Sequence, residues 1–351
     1  MLNHKPIETV ITGLGRAGWD IHWKQLLKDH PDFRVVGVIE PMESRRLEAQ
    51  EEIGCCTYAS FEEFLVDPMG ELIVIATPSG GHGPEALACL EIGLNVAVDK
   101  PMCQGVAEAD AIINLAHSRN LILTCYHPYR FKEDFLVIRD MIHSGRLGRI
   151  VEIKCNRSEF FRRNDWVMRK AKGGGMHNVW GSHTVDQCLQ LAASPVMAVF
   201  SDLQSTVTPG DADDHCKILI KCENGILIDA EISNSMVFSP QPEWMVAGEC
   251  GGLVSCADGI HVKWFDPNKA PQIVMQDGPA LNRRYDNDDA LPWQEEIIPL
   301  PVARGFVAFY DNLSHAICEG APLEITPESA RDTIAVLETC RRQNPQIWTG
   351  I

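Results

Sequence analysis

The sequence predicts an α/β protein in which a doubly wound parallel sheet is followed by a domain built on an antiparallel or mixed sheet. The first 125 residues alternate short apolar runs with amphipathic segments of helix length, which is typical of parallel strands joined by crossover helices. After about residue 150 the apolar runs lengthen, and hairpin signals separate them. We therefore expect one domain over residues 1–125 and a second over residues 126–351.

The N-terminal domain contains short apolar runs that we predict to be strands, separated by segments able to cross over the sheet. Ser60 and Glu63 have the spacing of a capping box, which marks a helix start. Pro84 and Gly93 stand where another helix is expected to begin and end. The predicted strands include residues 10–11, 35–39, 72–76, 96–98 and 121–124.

The C-terminal part contains hairpin and helix signals. We predict hairpins with turns at residues 223–225 and 251–252, between the apolar runs 218–222, 226–232, 244–247 and 253–256. One helix is predicted over residues 176–192, after a triple glycine, and another from Thr326 to before Pro345. The acidic stretch 286–296 (DNDDALPWQEE) reads as part of a long exposed loop.

The charge of the chain excludes some classes of partner. Thirty-one basic and 48 acidic residues give a formal net charge of −17, which repels nucleic acids and anionic membranes. No window approaches the roughly 18 apolar residues of a membrane span, and the first residues have no secretory pattern. The 13 cysteines lack C-x-x-C spacing, which favours reduced, mostly buried thiols. We expect a cytoplasmic protein with no nucleic-acid or membrane partner.

The stretch GLGRAG follows the first predicted strand and opens the first helix. Gly13, Gly15 and Gly18 fill a G-x-G-x-x-G pattern, whose small residues let backbone N–H groups approach a pyrophosphate. Glu40 ends the second strand 22 residues after Gly18 and can accept both hydroxyls of an adenosine ribose. The pattern indicates a dinucleotide-binding Rossmann domain; a glycine-rich turn without a ligand is the alternative.

Glu40 also bears on which nicotinamide cofactor binds. A carboxylate at this position repels the 2′-phosphate of NADP and therefore favours NAD. Arg45 and Arg46 are close enough in sequence to clamp such a phosphate. We expect NAD, with NADP as the alternative.

Two motifs end strands on the edge where parallel sheets bind ligands. Thr77 and Pro78 follow one strand and are expected to border the cofactor, while His82 either contacts the site or serves as a cap or packing residue. Asp99 and Lys100, within VAVDKPM, end the next strand on the same edge. Lys100 is thus a candidate for a lysine at the mouth of a site, with a surface lysine as the alternative.

Short motifs spread along nearly the whole chain strengthen this interpretation. They are GLGRAG at 13–18, TPSGGH at 77–82, DKP at 99–101, YRF at 129–131, SGRLG at 144–148, GGGMHNVWGSHTVDQ at 173–187, FYDNL at 309–313 and ITPE at 325–328. Together they resemble the glucose-fructose oxidoreductase and inositol dehydrogenase (Gfo/Idh/MocA) family. The resemblance implies a Rossmann domain followed by an α/β domain with a large, open, mostly antiparallel sheet that forms an oligomer interface.

The resemblance also implies roles for individual residues. Lys100 would hydrogen-bond the reacting oxygen beside the nicotinamide, and Asp99 would orient it. His183 would take and return the alcohol proton, and Asp186, on the same helix face, would orient or polarise it. The implied cofactor-binding residues are Gly13, Leu14, Gly15, Arg16, Ala17, Gly18, Glu40, Thr77, Pro78, His82, Asp99 and Lys100.

One position departs from the family pattern. Many relatives carry an aspartate or asparagine four residues before the histidine, where this chain has Val179. Valine can neither donate nor accept a hydrogen bond through its side chain. We hypothesise that His183 works with Lys100 alone, or that Asn178, His177 or a water supplies the missing polar contact.

Further residues are predicted to line a carbohydrate pocket. The substrate-binding set is Lys100, Tyr126, Arg130, Trp166, Asn178, Trp180 and His183, with His127 as a weaker candidate, while Tyr310 is a candidate for approaching the cofactor. Trp180 and Tyr310 have ordinary packing as their alternative. No metal site is expected, because a continuous helix would put His177 and His183 on different faces.

The sequence therefore predicts an NAD-dependent oxidoreductase that acts on a secondary hydroxyl or ketone of a sugar, cyclitol or glycoside. One alternative is a redox-neutral lyase or glycosidase that oxidises a sugar carbon transiently with bound NAD. Another is a regulator that senses nucleotide or sugar without catalysis. The expected partners are a small-molecule carbohydrate and further copies of the chain, in a homodimer or homotetramer formed through the C-terminal sheet.

Overall fold

Two sheets organise the part of the chain that the computed structural model describes, which comprises residues 5–238, 242–275, 278–279, 283, 290–302 and 305–349. One sheet has six strands and the other eight. No helix in these ranges is both long and apolar enough to cross a membrane. All 13 cysteines are free thiols and most are buried, as predicted.

The first sheet is parallel throughout and has the order β3-β2-β1-β4-β5-β6. The strand order reverses between β1 and β4, so ligands are expected in the crevice at the carboxyl ends of these strands. The predicted doubly wound sheet is confirmed; the three-residue β3 was missed because it is too short to show a pattern. The strands are β1 (Ile7–Thr12), β2 (Phe33–Ile39), β3 (Cys56–Tyr58), β4 (Leu72–Ile75), β5 (Asn95–Asp99) and β6 (Leu123–Tyr126).

Helices cover both faces of this sheet. The first, Arg16–Leu27, is a π-helix, and at its end the Lys28 N–H donates to the Trp23 carbonyl five residues earlier (2.9 Å). The predicted capping box is confirmed, because the Ser60 hydroxyl accepts the Glu63 N–H at 3.2 Å. The helices that follow are α1 (Glu43–Ile53), α2 (Phe61–Val66), α3 (His82–Glu91) and α4 (Val106–Arg119).

The second sheet has the order β14-β13-β12-β11-β7-β10-β9-β8, and only its β7–β10 pair is parallel. This confirms the expected large, mostly antiparallel sheet. Helices α5, α7 and α9 pack on one of its faces. The elements are α5 (Glu133–His143), β7 (Ile150–Ser158), α6 (Met176–Val179), α7 (Gly181–Ala192), β8 (Val196–Gln204), β9 (His215–Cys222), β10 (Leu227–Ser233), β11 (Trp244–Gly248), β12 (Gly251–Cys256), β13 (Gly259–Trp264), β14 (Gln294–Ile298), α8 (Val307–Glu319) and α9 (Pro327–Gln343).

Three local predictions need correction. Gly251 and Gly252 lie within β12 rather than in its turn; a Cβ on Gly251 would lie 2.3 Å from the Lys263 carbonyl oxygen, so the glycine permits close strand pairing. The predicted helix 176–192 is broken at Trp180 into α6 and α7. Residues 294–296 of the predicted acidic loop begin β14, while residues 286–289 lie outside the described part.

The last two helices return to the N-terminal sheet. Phe309, Tyr310 and Leu313 of α8 belong to the core on one side of that sheet. Ala330 and Ile334 of α9 belong to the core on its other side. The C-terminal helices thus bring the two sheets together, and the domain boundary at residue 125 stays a prediction.

Candidate active site

The glycine turn joins β1 to the first helix at the carboxyl edge of the parallel sheet. Gly13 has a φ of +83°, and a Cβ there would lie 2.8 Å from the Ala76 carbonyl oxygen. A Cβ on Gly18 would lie 1.9 Å from the Gly13 carbonyl oxygen, whereas one on Gly15 would meet no atom within 4 Å. Packing therefore requires glycine at positions 13 and 18. Gly15 borders open space at the helix N-terminus, which fits the approach of a dinucleotide pyrophosphate.

Glu40 lies beside this turn, at the end of β2. Its buried carboxylate accepts the N–H of Leu14 at 2.8 Å and that of Met42 at 3.0 Å. Arg45 approaches the same carboxylate at 3.5 Å, while Arg46 donates to the carbonyl oxygen of Glu40 at 2.7 Å. The carboxylate is thus fixed next to the space where an adenosine ribose would lie. Arg16 and Ala17 form the first turn of the helix.

The loops after β4 and β5 are tied together by His82. Its ring is buried, with Nδ1 2.7 Å from the Pro101 carbonyl oxygen and Nε2 2.8 Å from the Thr77 carbonyl oxygen. Both nitrogens are engaged by backbone, so the packing alternative holds and the expected cofactor contact of His82 is corrected. Thr77 and Pro78 remain accessible on this edge.

The Thr77 hydroxyl donates to Glu85 on α3 at 2.9 Å. Burial raises the pKa of Glu85 to about 7, against the lowering effect of this hydrogen bond. A carboxyl that changes charge near neutral pH therefore lies directly behind the expected cofactor edge.

Lys100 directly follows β5, and its side chain reaches the segment before α7. Its Nζ donates to the backbone carbonyl of Val179 at 2.9 Å. Burial lowers the pKa of Lys100, while the Asp99 carboxylate opposes that shift. Asp99 accepts the backbone N–H of Lys100 at 2.8 Å, so it orients the chain rather than the ammonium group. The Lys100–Pro101 peptide is cis.

The helix break at Trp180 explains how Val179 supplies a polar contact. The last carbonyls of a helix lack the N–H four residues on that an uninterrupted helix would provide. The Val179 carbonyl accepts instead from Lys100 Nζ and, at 3.3 Å, from the Ser182 hydroxyl. The backbone therefore provides the acceptor that the valine side chain lacks.

His183 lies on α7 in an aromatic surrounding. Its ring centroid is 4.3 Å from that of Tyr129 and 6.1 Å from that of Trp180. Nδ1 is buried and has no hydrogen-bond partner among the described residues. Burial and, next, the positive charge of Lys100 hold the pKa of His183 well below its ordinary value. The imidazole is therefore neutral at neutral pH and able to accept a proton.

Asp186 does not orient His183, which corrects the prediction for this pair. Its carboxylate accepts two hydrogen bonds from the Arg130 guanidinium, at 2.5 and 2.9 Å. Arg130 is buried and also donates to the Ser329 hydroxyl at 2.9 Å. A guanidinium offers a carboxylate two parallel donors, whereas an imidazole offers one. Arg130 thus joins α7 to α9 and is not available as the predicted substrate ligand.

Asn178 and His177 are also committed to internal contacts. The fully buried Asn178 amide donates to the carbonyls of Gly173 and Gly174 and accepts from Arg341 at 2.9 Å. His177 Nδ1 lies 2.6 Å from an Asp213 carboxylate oxygen. Neither side chain replaces the missing polar group at position 179, and the prediction that Asn178 binds substrate is corrected.

The predicted aromatic contacts divide into packing and site residues. Tyr126 is buried, with its ring centroid 4.6 Å from that of His22, and Tyr310 is fully buried with its hydroxyl 2.7 Å from His22 Nδ1. Tyr310 therefore packs in the core, which was the alternative stated for it, and Tyr126 packs in the same cluster of rings around His22. Trp166 is half-exposed in a separate short turn. Trp180 lies against His183.

Sequence reasoning missed a group of charged residues beside His183. Lys132, Arg157 and Glu243 line a cavity of about 360 Å³ together with Tyr129 and Trp180. Arg157 follows the core residues Ile153 and Cys155 at alternating positions of β7. A charge at an inward-facing strand position is the signal that could have found it.

Comparison with known proteins shows which family the chain belongs to. The family model described as "Oxidoreductase family, NAD-binding Rossmann fold" matches residues 7–127, and "GFO/IDH/MocA C-terminal domain" matches residues 135–254. The two matches cover more than half of the chain. It belongs to the Gfo/Idh/MocA oxidoreductase family. This establishes a nicotinamide-binding Rossmann domain and confirms the resemblance read from the motifs.

Individual relatives of this Gfo/Idh/MocA protein are distant. The scyllo-inositol 2-dehydrogenase (NADP(+)) of Bacillus subtilis is 24% identical over 289 residues, 81% of this chain and 80% of that protein. An uncharacterized oxidoreductase of Schizosaccharomyces pombe is 30% identical over 223 residues, so the match spans 61% of this chain and only 60% of that relative. The crystal structure of an NAD-binding protein from Listeria innocua has a TM-score of 0.80 and 24% identity, covering 97% of this chain and 96% of that one. That structure shares the fold.

The glycine turn of this Gfo/Idh/MocA chain gives a matched pair of variants. Gly18→Ala should lower the melting temperature by several degrees, because its Cβ overlaps the Gly13 carbonyl and overpacking costs about 1–3 kcal/mol. Gly15→Ala should leave stability unchanged but weaken NADH binding about tenfold or more, because the methyl group enters the space of the pyrophosphate. Calorimetric melting and NADH titration measure the two effects. Unchanged NADH affinity in Gly15→Ala would contradict this fit.

His127 gives a pH-dependent contribution to stability. Burial lowers its pKa from 6.5 to about 4, although Asp186 opposes the shift. Between pH 7 and 5 the unfolded chain binds a proton here that the folded chain does not, so the free energy of unfolding falls by about 2 kcal/mol. In urea denaturation, the free energy of unfolding of His127→Gln should fall between pH 7 and pH 5 by about 2 kcal/mol less than that of the wild-type protein. The exposed His117→Gln is the control, and equal losses in wild type and His127→Gln would contradict the prediction.

Proposed function

We propose that the protein is a dehydrogenase that uses NAD to oxidise a secondary hydroxyl of a sugar, cyclitol or glycoside, or to reduce the matching ketone. The observation that carries the proposal is the pairing of two groups at one edge of the parallel sheet. Lys100 directly follows β5, and its Nζ lies 2.9 Å from the carbonyl of Val179, four residues before His183, whose pKa is lowered by burial and by the charge of Lys100. A cationic donor and a neutral proton acceptor are the two groups that alcohol oxidation needs.

The residues divide the chemistry between them. Hydride acceptance is the chemistry that a bound nicotinamide supplies. Lys100 donates a hydrogen bond to the substrate oxygen and stabilises the negative charge that develops there. The imidazole of His183 takes the hydroxyl proton, and returns it in the reverse direction. The Val179 carbonyl holds Lys100 Nζ at 2.9 Å and so fixes the point from which the ammonium acts.

The preference for NAD rests on Glu40. Its carboxylate is buried and is held by backbone N–H groups beside the glycine turn, so its negative charge faces the ribose. A 2′-phosphate at this place would be repelled. Arg46 is already engaged by backbone carbonyls, and Arg45 lies next to the carboxylate it would have to compensate.

Lys100→Met and His183→Ala are expected to lose about 10²–10³-fold in turnover while keeping the fold, because each removes a group that acts on the reacting oxygen or its proton. The assay follows reduced cofactor and product with NAD and with NADP over a panel of hexoses, cyclitols and glycosides. Lys28→Met and His117→Gln, both exposed, are the controls.

The pH profile of oxidation follows from the same groups. The lowered pKa of His183 keeps the base neutral and should move the acid limb below pH 6.5, and the lowered pKa of Lys100 should move the alkaline limb below pH 10.5.

Full activity in either Lys100→Met or His183→Ala would contradict the assignment. If substrate is converted but no reduced cofactor appears, the protein is the redox-neutral lyase or glycosidase instead. If it binds cofactor or sugar but converts no substrate, it is a sensor.

We also propose that the chain associates with itself through the open face of the eight-stranded sheet. This face carries a hollow of about 1000 Å³ lined by residues of β11 to β14. Met245, Trp293 and Ile297 expose apolar surface there. Exposed apolar groups around a large hollow favour coverage by a second surface of similar character.

Met245→Glu should weaken self-association at least about tenfold, because it sets a charge against apolar surface. Val66→Glu, on α2 of the other domain, replaces an exposed apolar residue away from this face and is the control. Sedimentation velocity across a concentration series measures the change. A monomeric wild-type protein, or an unchanged Met245→Glu assembly, would contradict the proposal.

A further inference from the structure

The cavity beside His183 has an aromatic side and an ionic side. Tyr129, Phe161 and Trp180 contribute the aromatic surface, and Arg157, Glu243 and Lys132 the ionic surface. Tyr129 and Trp180 line this cavity and also lie near the ring of His183, which is not itself part of the lining, so the two rings are shared by the cavity and the surroundings of His183. The inference that follows rests on the proposed function and concerns which substrates this cavity accepts.

Arg157 is fully engaged by the protein. Its side chain is almost completely buried, and each of its three nitrogens already donates to an acceptor. Nε donates to Glu243 at 2.8 Å, Nη1 to the Thr184 hydroxyl at 3.1 Å and Nη2 to the Gln187 amide oxygen at 2.6 Å. The guanidinium also lies over the Tyr129 ring, 5.1 Å from its centroid. It therefore supports the cavity without offering an unpaired charge.

Lys132 is matched in the same way. Its Nζ lies 3.0 Å from Asp134 and 3.4 Å from both carboxylate oxygens of Glu243. Burial tends to lower the pKa of Lys132, but these two carboxylates outweigh it and the pKa is raised, so the ammonium stays charged. The two cations of the cavity thus face two carboxylates, and the set is neutral overall.

The remaining charges near the cavity do not favour an anion. Glu159 lines it from an exposed position and adds negative charge. Arg16, whose charge also reaches Tyr129, belongs to the glycine turn on the cofactor side. An anionic ligand in the described cavity would meet cations whose charge is already balanced by carboxylates, together with the negative charge of Glu159, so its charge would gain little attraction there.

We propose that this cavity binds the distal hydroxyls of an uncharged polyol ring and discriminates against uronates and sugar nucleotides, with Glu243 as the residue that sets this preference. Glu243 accepts from ring hydroxyls through its remaining lone pairs, and Lys132 donates through its exposed side. The aromatic surface takes the apolar face of the ring. A neutral ring uses these groups without disturbing the ion pairs.

The test compares matched substrates that differ in charge. Wild-type protein with NAD is assayed on glucose against glucuronate, galactose against galacturonate, and glucose against UDP-glucose. We expect kcat/KM to favour the neutral member of each pair at least about tenfold. Glu243→Gln removes the carboxylate that balances the charges of Lys132 and Arg157. The ratio of kcat/KM for the hexose to kcat/KM for the uronate should then fall about tenfold, mainly because the KM for the uronate is lower. Glu8→Gln breaks an arginine pair on β1, far from the cavity, and should leave the ratio unchanged.

Binding separates this inference from the proposed function. Tryptophan fluorescence, to which Trp180 contributes, follows binding of the same ligands to the protein with cofactor, whether or not turnover occurs. No cofactor reduction with any substrate would contradict the proposed function, while preferential binding of neutral rings would still support the inference. Preference for uronates or UDP-glucose, or an unchanged ratio in Glu243→Gln, would overturn it. If Glu243→Gln misfolds, the Lys132→Met variant is tested in its place. It should raise the ratio of kcat/KM for the hexose to kcat/KM for the uronate, and an unchanged ratio in Lys132→Met would also overturn the inference.

Discussion

The hydrogen bond from Lys100 Nζ to the Val179 carbonyl is the contact on which the geometry of the candidate site depends. It joins the carboxyl edge of the parallel sheet to the segment that leads into the His183 helix. An uninterrupted helix would engage the Val179 carbonyl with the N–H of His183. The break at Trp180 removes that competition and leaves the carbonyl to a cation. The break in the helix therefore lets Lys100 bind the backbone four residues before His183.

Buried polar contacts hold the two segments that this hydrogen bond joins in fixed positions relative to each other. Arg341 on α9 donates to the Asn178 side chain at 2.9 Å and to the backbone carbonyl of Gln104. The Ser79 hydroxyl donates to the Gly173 carbonyl at 2.7 Å. These groups are largely buried, so loss of one partner leaves another polar group unsatisfied, which costs about 1–3 kcal/mol. The loops of the Rossmann domain and the glycine run are thus held as one unit.

Features encoded by local sequence were predictable, and those set by distant pairing were not. Strand rhythm, the glycine turn and Glu40 depend on residues close in the chain, so periodicity and spacing revealed them. The partner of Arg130 lies 56 residues away and that of Arg157 lies 86 residues away, and no spacing rule connects such pairs. The i, i+3 spacing of His183 and Asp186 suggested a pair, but a guanidinium forms the better contact with a carboxylate. Position 179 was judged by its side chain, while the backbone supplies the contact.

Burial lowers the pKa values of both central groups, which start from very different values. For Lys100 the pKa falls from 10.5 against the opposing charge of Asp99, whereas for His183 it falls well below 6.5 and the imidazole is held neutral. After burial, the charges of Lys100 and, more weakly, Arg157 lower the pKa of His183 further. An anion bound beside Arg157 would offset only the smallest of these contributions, while burial, the largest, would still hold the pKa of His183 low. The charge balance of the cavity, rather than the protonation state of His183, is therefore the feature that bears on whether a neutral or an anionic ring is preferred.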